Sequence, residues 1–358
     1  MKLNVKFLAI ILSTISLIIV TLLVFDSLTL DKICQDSGGK HHGETCLIPI
    51  ITNATNENTH VEINQSQIIT MKPNSVEMFY YPNSSKETDT YKLFMLIRLP
   101  EWMGGSADDI SAFRAYSAKS LDDSCIVRYW PDEGRQRIEN PCQGAMYRVI
   151  DGAMTHGAIH RSTPMTALPH LDLSMDKNGM MYVNPPKFST TENGVIGQGR
   201  NISIQEIRDN STFLSESFAK HHPDYPHIPV EFGGHVLSEI SPGKYSTTAK
   251  YLSFPSKSGN LEIMIGKLSS GIVHTVLQKQ NVEYWQIGDT VIRIGGSAMQ
   301  DNNNISRSFR TYDADFSDGY NYRVTGKDLE VIKKSIVANF FPEYRYEDLF
   351  LVSSTKKE

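Results

Sequence analysis

Apolar residues fall along this chain in three textures. The first is unbroken: Phe7 to Phe25 (FLAIILSTISLIIVTLLVF) holds nineteen residues without a charge. At about 1.5 Å per residue, a helix of that length spans roughly the 30 Å hydrocarbon layer of a bilayer. The second texture is short, dense runs at Lys92–Leu99, Ile126–Tyr129, Met146–Ile150 and Met180–Val183. Pro131, Gly134, Pro141, Gly144, Gly152 and Gly157 punctuate them, which predicts a compact set of β-strands. The third is mixed, with a short helix predicted near Thr212–Lys220. Strands follow at Tyr251–Phe254, Leu261–Leu268, Ile272–Leu277, Val282–Ile287 and Thr290–Ile294. A last helix is predicted over Lys327–Phe340, where Leu329, Ile332, Ile336 and Phe340 share one face. Thr325, with Asp328 three residues on, has the spacing of a capping box at its start, with Asp in place of Glu.

These textures predict a mainly β protein with an α+β part. The expected order is a cytoplasmic terminus over residues 1–6, a transmembrane anchor over 7–25 and a juxtamembrane stalk or small β appendage over 26–87. A β-sandwich follows over 88–190, a linker over 191–200, a curved antiparallel sheet with a C-terminal helix over 201–345, and a tail over 346–358. Lys2 and Lys6 precede the apolar run and Asp26 follows it, so the positive-inside bias puts the bulk of the chain outside the cytoplasm. The alternative is a cleaved signal peptide, against which stand the length of the run and the lack of a small-x-small cleavage site. The expected location is the cell membrane, crossed once.

Charge and cysteine content narrow this picture. Lys and Arg number 35 against 40 Asp and Glu, and no basic cluster stands out, so a nucleic-acid role has no electrostatic footprint. Four cysteines, Cys34, Cys46, Cys125 and Cys142, form two local pairs, which in an oxidising compartment favours disulfides. Sequons at Asn53, Asn64, Asn83, Asn201, Asn210 and Asn304 are candidate glycosylation sites consistent with export. His41 and His42 lie in a polar loop and His156 and His160 among turns, where solvated or structural roles are expected over metal binding.

One segment carries more chemistry. Asn140-Pro-Cys142-Gln143-Gly144-Ala-Met-Tyr147, followed by Asp151-Gly152, by His156-Gly157-Ala158 and by Leu168-Pro169, resembles the second cluster-binding loop of cytochrome bc-type Rieske proteins. Upstream, Ser120-Leu121-Asp122-Asp123-Ser124-Cys125 is similar to their first loop. The resemblance covers about residues 88–190 and implies a Rieske β fold. It also implies where the [2Fe–2S] ligands would lie: on Ser120, Asp122, Asn140 and Gln143, all four replaced by residues offering neither thiolate nor imidazole. Cys125 and Cys142 match the family's loop-bridging disulfide. The expectation is a Rieske-like domain without a cofactor and without a metal, the alternative being a redox subunit that keeps a 2Fe-2S cofactor by nonstandard ligation.

The stretch Asn281–Ser297, with the helix Asp328–Ile336, resembles exported domains of the LolA and RseB group, which implies a concave sheet that binds a lipid, peptide or protein. No G-x-S-x-G elbow, H-E-x-x-H pair or phosphate-cradling loop is present, so no catalytic residues are assigned. Phe232-Gly233-Gly234-His235 is expected to be a plain glycine turn, and Asp313, Asp315 and Asp318 a solvated acidic loop. The expected function is binding or scaffolding at the outer membrane face, with the membrane and a protein or lipid as partners.

Overall fold

The computed structural model describes residues 40–42, 45–47, 49–50, 52–53, 61–63, 68, 70–82, 92–123, 125–132, 136–157, 165–184, 199–244, 246–253, 261–267, 282–287, 290–298, 308–315, 320–326, 329–349 and 351–352. The apolar run Phe7–Phe25, and with it the expected anchor, lies outside them. Among the described residues no helix is long and apolar enough to cross a membrane.

The first half is a set of small sheets. Strands β1 (Ser75–Tyr80), β2 (Leu93–Arg98) and β3 (Phe113–Ser117) pair antiparallel in sequence order, and Pro49–Ile50 adds a parallel edge to β1. The dense run of β2 has a simple cause: the strand is buried on both faces. Leu93, Met95 and Ile97 point into one core while Phe94 and Leu96 point into another, with Phe79, Phe113 and Val183. Alternation of side chains across a strand requires an unbroken apolar sequence when both faces are covered. The β1–β2 hairpin crosses the boundary expected at residue 88. Val61–Ile63 likewise pairs with Met181–Val183, so residues before the boundary form part of this body.

A second four-stranded sheet, β4 (Arg128–Trp130), β5 (Arg137–Glu139), β6 (Met146–Tyr147) and β7 (Met154–His156), carries the two loops singled out in the sequence.

Helix α1 (Ile204–His221) opens the second half, longer than the predicted short helix and starting two turns earlier. Its Ser203 cap accepts a hydrogen bond from the Glu206 amide, the usual way to satisfy a free helix-end donor. Nine strands then form one antiparallel curled sheet: β8 (Glu231–Phe232), β9 (His235–Pro242), β10 (Ser246–Leu252), β11 (Leu261–Lys267), β12 (Val282–Ile287), β13 (Thr290–Ala298), β14 (Ser308–Asp315), β15 (Tyr320–Gly326) and, after helix α2 (Leu329–Phe340), β16 (Leu351–Val352). In space the order is β8-β9-β10-β11-β15-β14-β13-β12-β16. Gly233 and Gly234 both have positive φ and close the β8–β9 hairpin as a glycine turn. The acidic loop expected at Asp313 and Asp315 is instead the end of β14, where the register sets Asp313 between Arg293 and Arg323. Asp318 and the strand predicted at Ile272–Leu277 lie outside the described residues.

The two halves share one core. Leu93, Trp102, Tyr116 and Tyr147 belong to the same apolar cluster as Phe218, Tyr251, Ile332 and Phe341. Trp102 meets Phe218 edge to face at 5.9 Å, and its indole N–H donates to Gln136 at 2.8 Å.

Candidate functional site

The two loops that resemble cluster-binding loops lie against each other on the β4–β7 sheet. Cys125 and Cys142 form a disulfide with Cα atoms 6.4 Å apart, the bridge that the resemblance implies. Closing a loop of this length contributes about 3 kcal/mol in the chain-entropy account. Cys46 lies on the Thr45–Leu47 strand, paired with Lys40–His42, while Cys34 lies outside the described residues.

Three of the four replaced positions are brought together. Asn140 is buried, and its Nδ2 donates to Ser120 Oγ at 2.9 Å and to Asp123 Oδ1 at 2.8 Å. Its Oδ1 accepts from the Cys142 amide at 2.8 Å. Buried Ser120 also meets the Tyr147 hydroxyl at 3.1 Å, and that hydroxyl accepts from the Leu121 amide at 3.0 Å. The Asp122 amide donates to Ser120 Oγ at 3.3 Å. Gln143 is different: it is exposed on the loop tip, and only its amide turns inward, 3.4 Å from Asn140 Oδ1.

Asp123 and Tyr147 hold this network together although the sequence reading gave them no role. Asp123 accepts from the Cys125 amide at 3.0 Å, an Asx-type turn that the Asp-x-Cys spacing signals. Burial pushes the Tyr147 phenol up to about 12, partly offset by its hydrogen bonds to Ser120 and Leu121. It stays protonated at neutral pH, and the ring anchors both loops.

Of the remaining candidates, His156 is exposed at the end of β7, and His41 and His42 sit on a strand of a two-stranded hairpin. His160, Asn64, Asn83 and Asn304 lie outside the described residues. Asn53 is on the Thr52–Asn53 strand and Asn201 is exposed. Asn210 is poorly placed for a sugar. It lies within α1, and its Nδ2 donates to Glu206 O at 2.9 Å and Asp151 Oδ2 at 3.3 Å. A glycan on that nitrogen removes one of its two hydrogens.

Behind the loops runs a buried polar seam between the halves. Arg148 and Asp151 are nearly inaccessible and form an ion pair at 3.2 Å, set by proximity rather than by an aligned hydrogen bond. Arg148 Nη1 donates to Ser211 Oγ of α1 at 3.2 Å and to Leu237 O of β9 at 3.3 Å. Asp151 accepts from the Ala153 amide at 3.0 Å, and its carbonyl accepts from Arg200 Nη2 at 2.9 Å.

Beside this seam opens a cleft of about 340 Å³. β3 and the Ile150–Asp151 turn form one side, His170–Leu173 another, and Arg200 with Glu206 and Asn210 of α1 a third. His170 Nε2 lies 3.1 Å from Asp172 Oδ1. Burial and the neighbouring Arg200 charge hold its imidazole below the ordinary histidine value.

No protein-family profile and no curated protein sequence matches this chain. Among solved structures it is similar to the quaternary ammonium Rieske monooxygenase CntA, with a TM-score of 0.23 and 8% identity over 76% of this chain and 72% of that one. It is also similar to the terminal oxygenase of carbazole 1,9a-dioxygenase from Novosphingobium sp. KA1, with a TM-score of 0.24 and 12% identity over 82% of this chain and 80% of that one. Scores of this size carry no argument, and the resemblance to Rieske loops rests on the sequence motifs and on the Cys125–Cys142 bridge.

The expectation of no cofactor is corrected by one finding: Asp123, Cys125 and Cys142 bring a carboxylate oxygen and two sulfurs, donor types that metals take, within 4.8 Å of one another. Four replaced ligand positions were too narrow a basis for that expectation. Ser120, Asp122, Asn140 and Gln143 still do not fit a [2Fe–2S] cluster, which needs two thiolates and two imidazoles, and the two nearby sulfurs are bonded to each other. Cofactor content is decided by metal analysis of the protein.

Proposed function

We propose that this chain is a membrane-anchored binding or scaffold protein whose bulk faces away from the cytoplasm. In it the bridged loop pair and the curled sheet form one body that engages a protein or lipid partner at the outer face. The observation that carries this reading is the Ser120–Asn140–Asp123–Tyr147 network. Ser120 and Asn140, two of the four positions matching cluster ligands, have their side chains committed to each other, to Asp123 and Tyr147 and to the loop backbones, an arrangement that suits a fixed surface. The charge-free run Phe7–Phe25 supports the anchor, and the Cys125–Cys142 bridge supports an oxidising exterior.

The test is made on the full chain expressed in its membrane. The expected result is a protein that stays with the membrane after carbonate washing and is digested by protease added from outside. Stoichiometric iron with Rieske-type visible absorption overturns the binding reading in favour of electron transfer. Protection from external protease overturns the orientation.

A further inference from the structure

The cleft beside the interdomain seam has features that the scaffold reading does not use. Five arginines among the described residues are buried or half-buried. Four have a carboxylate: Arg98 with Asp108, Arg137 with Glu139, Arg148 with Asp151 and Arg200 with Glu206. Arg114 has none among the described residues. Its guanidinium is fixed by backbone carbonyls alone, Nε donating to Ile150 O at 3.0 Å and Nη1 to Ser111 O at 2.9 Å and Phe113 O at 2.7 Å. Arg114 lines the cleft, and its Nη2 has no hydrogen-bond partner among the described residues.

A partly desolvated cation without an ion-pair partner in contact is costly unless an anion completes it. Holding its fork rigid makes it ready to take one carboxylate. The anion is limited in charge, because Asp151, Asp172 and Glu206 also line the cleft and repel a dianion. It is also limited in shape, since Ile110 and Leu173, both half-buried, add apolar surface to the lining. The volume lies at the lower end of the usual range for small-molecule sites.

We propose that this cleft binds a small aliphatic monocarboxylate, its carboxylate on Arg114 and its alkyl body against Ile110 and Leu173. The site is independent of the bridged loops, so its failure leaves the scaffold reading standing, and the converse holds too.

The test is calorimetric titration of the full chain with hexanoate, methyl hexanoate and inorganic phosphate. Saturable binding of hexanoate is expected, with neither the uncharged ester nor phosphate binding comparably. Arg114→Gln is expected to weaken hexanoate by about tenfold or more, the size of a lost charge-assisted contact. Leu173→Trp, which enlarges an apolar lining side chain and leaves the Arg114 charge in place, is expected to weaken it similarly. A thermal melt of each variant checks folding, and if Arg114→Gln does not fold, Leu173→Trp decides. Absence of saturable hexanoate binding at millimolar concentration, ester or phosphate binding as tight as hexanoate, or unchanged affinity in the folded variants overturns the proposal.

Discussion

Tyr147 shows what one side chain does when its hydroxyl is the shared partner of two loops. Replacing it with Phe keeps the ring in the core and leaves Ser120 Oγ and the Leu121 amide each short of a partner. The expected cost is about 1–3 kcal/mol, read as a lower urea midpoint with an unchanged slope. The pH dependence has a definite sign. The phenol is raised by folding, so the stability tied to its protonated form is complete below its unfolded value near 10. It is lost as pH rises through about 12. Tyr147→Phe therefore flattens the alkaline fall of the urea midpoint, and the buried phenols of Tyr116, Tyr129 and Tyr251, also raised by burial, contribute to what remains. At this scale the sequence was half legible. Motif spacing found Cys125, Cys142 and the replaced positions, but Tyr147's bond to Ser120 and Asp123's bond to Asn140 span 27 and 17 positions, which no local pattern reveals.

Helix α1 is the element that the periodicity of apolar residues hid. Its buried face reads Ile207, Ser211, Leu214, Ser215, Phe218, so two of five inward positions are serine. Ser211 Oγ donates to Leu237 O, and Ser215 Oγ donates to Ile228 O. Small hydroxyl side chains let the helix approach the strands closely, and they erase the apolar repeat a reader looks for. The start was visible in another way, since Ser203-x-x-Glu206 has the spacing of a capping box. Here the Glu206 carboxylate turns to Arg200 at 2.7 Å. Ser203→Ala is expected to cost about 1 kcal/mol through loss of the cap, measured by chemical denaturation followed at 222 nm. Strand β2 was easier, because burial on both faces writes itself into the sequence as an unbroken apolar run.

Across the whole molecule, the junction between the halves rather than either half was out of reach of the sequence. The hydrogen bonds of Arg148 to Ser211 and Leu237 and the Trp102–Phe218 contact join segments far apart in the chain. Composition changes near residue 190 suggested a linker and separate domains, yet a single apolar cluster runs through both. Arg148→Leu removes the cation and leaves Asp151 buried beside Asn210. The expected loss is about 3–5 kcal/mol, and it falls on the junction, so the calorimetric transition of the variant splits or broadens where that of the parent is single.

The strand order of the nine-stranded sheet bears on how the chain is made. β11 finds its neighbour in β15, with Glu262 opposite Thr325 and Lys267 opposite Tyr320, so more than fifty residues must leave the ribosome before the middle of the sheet closes. Until then the emerging chain presents Leu261, Ile263 and Ile265, apolar in the finished core, along an unpaired edge, the form of strand most prone to associate with other chains. A nascent chain arrested just before Tyr320 is therefore the stage at which this protein most needs a chaperone, and release of that dependence marks the arrival of β15.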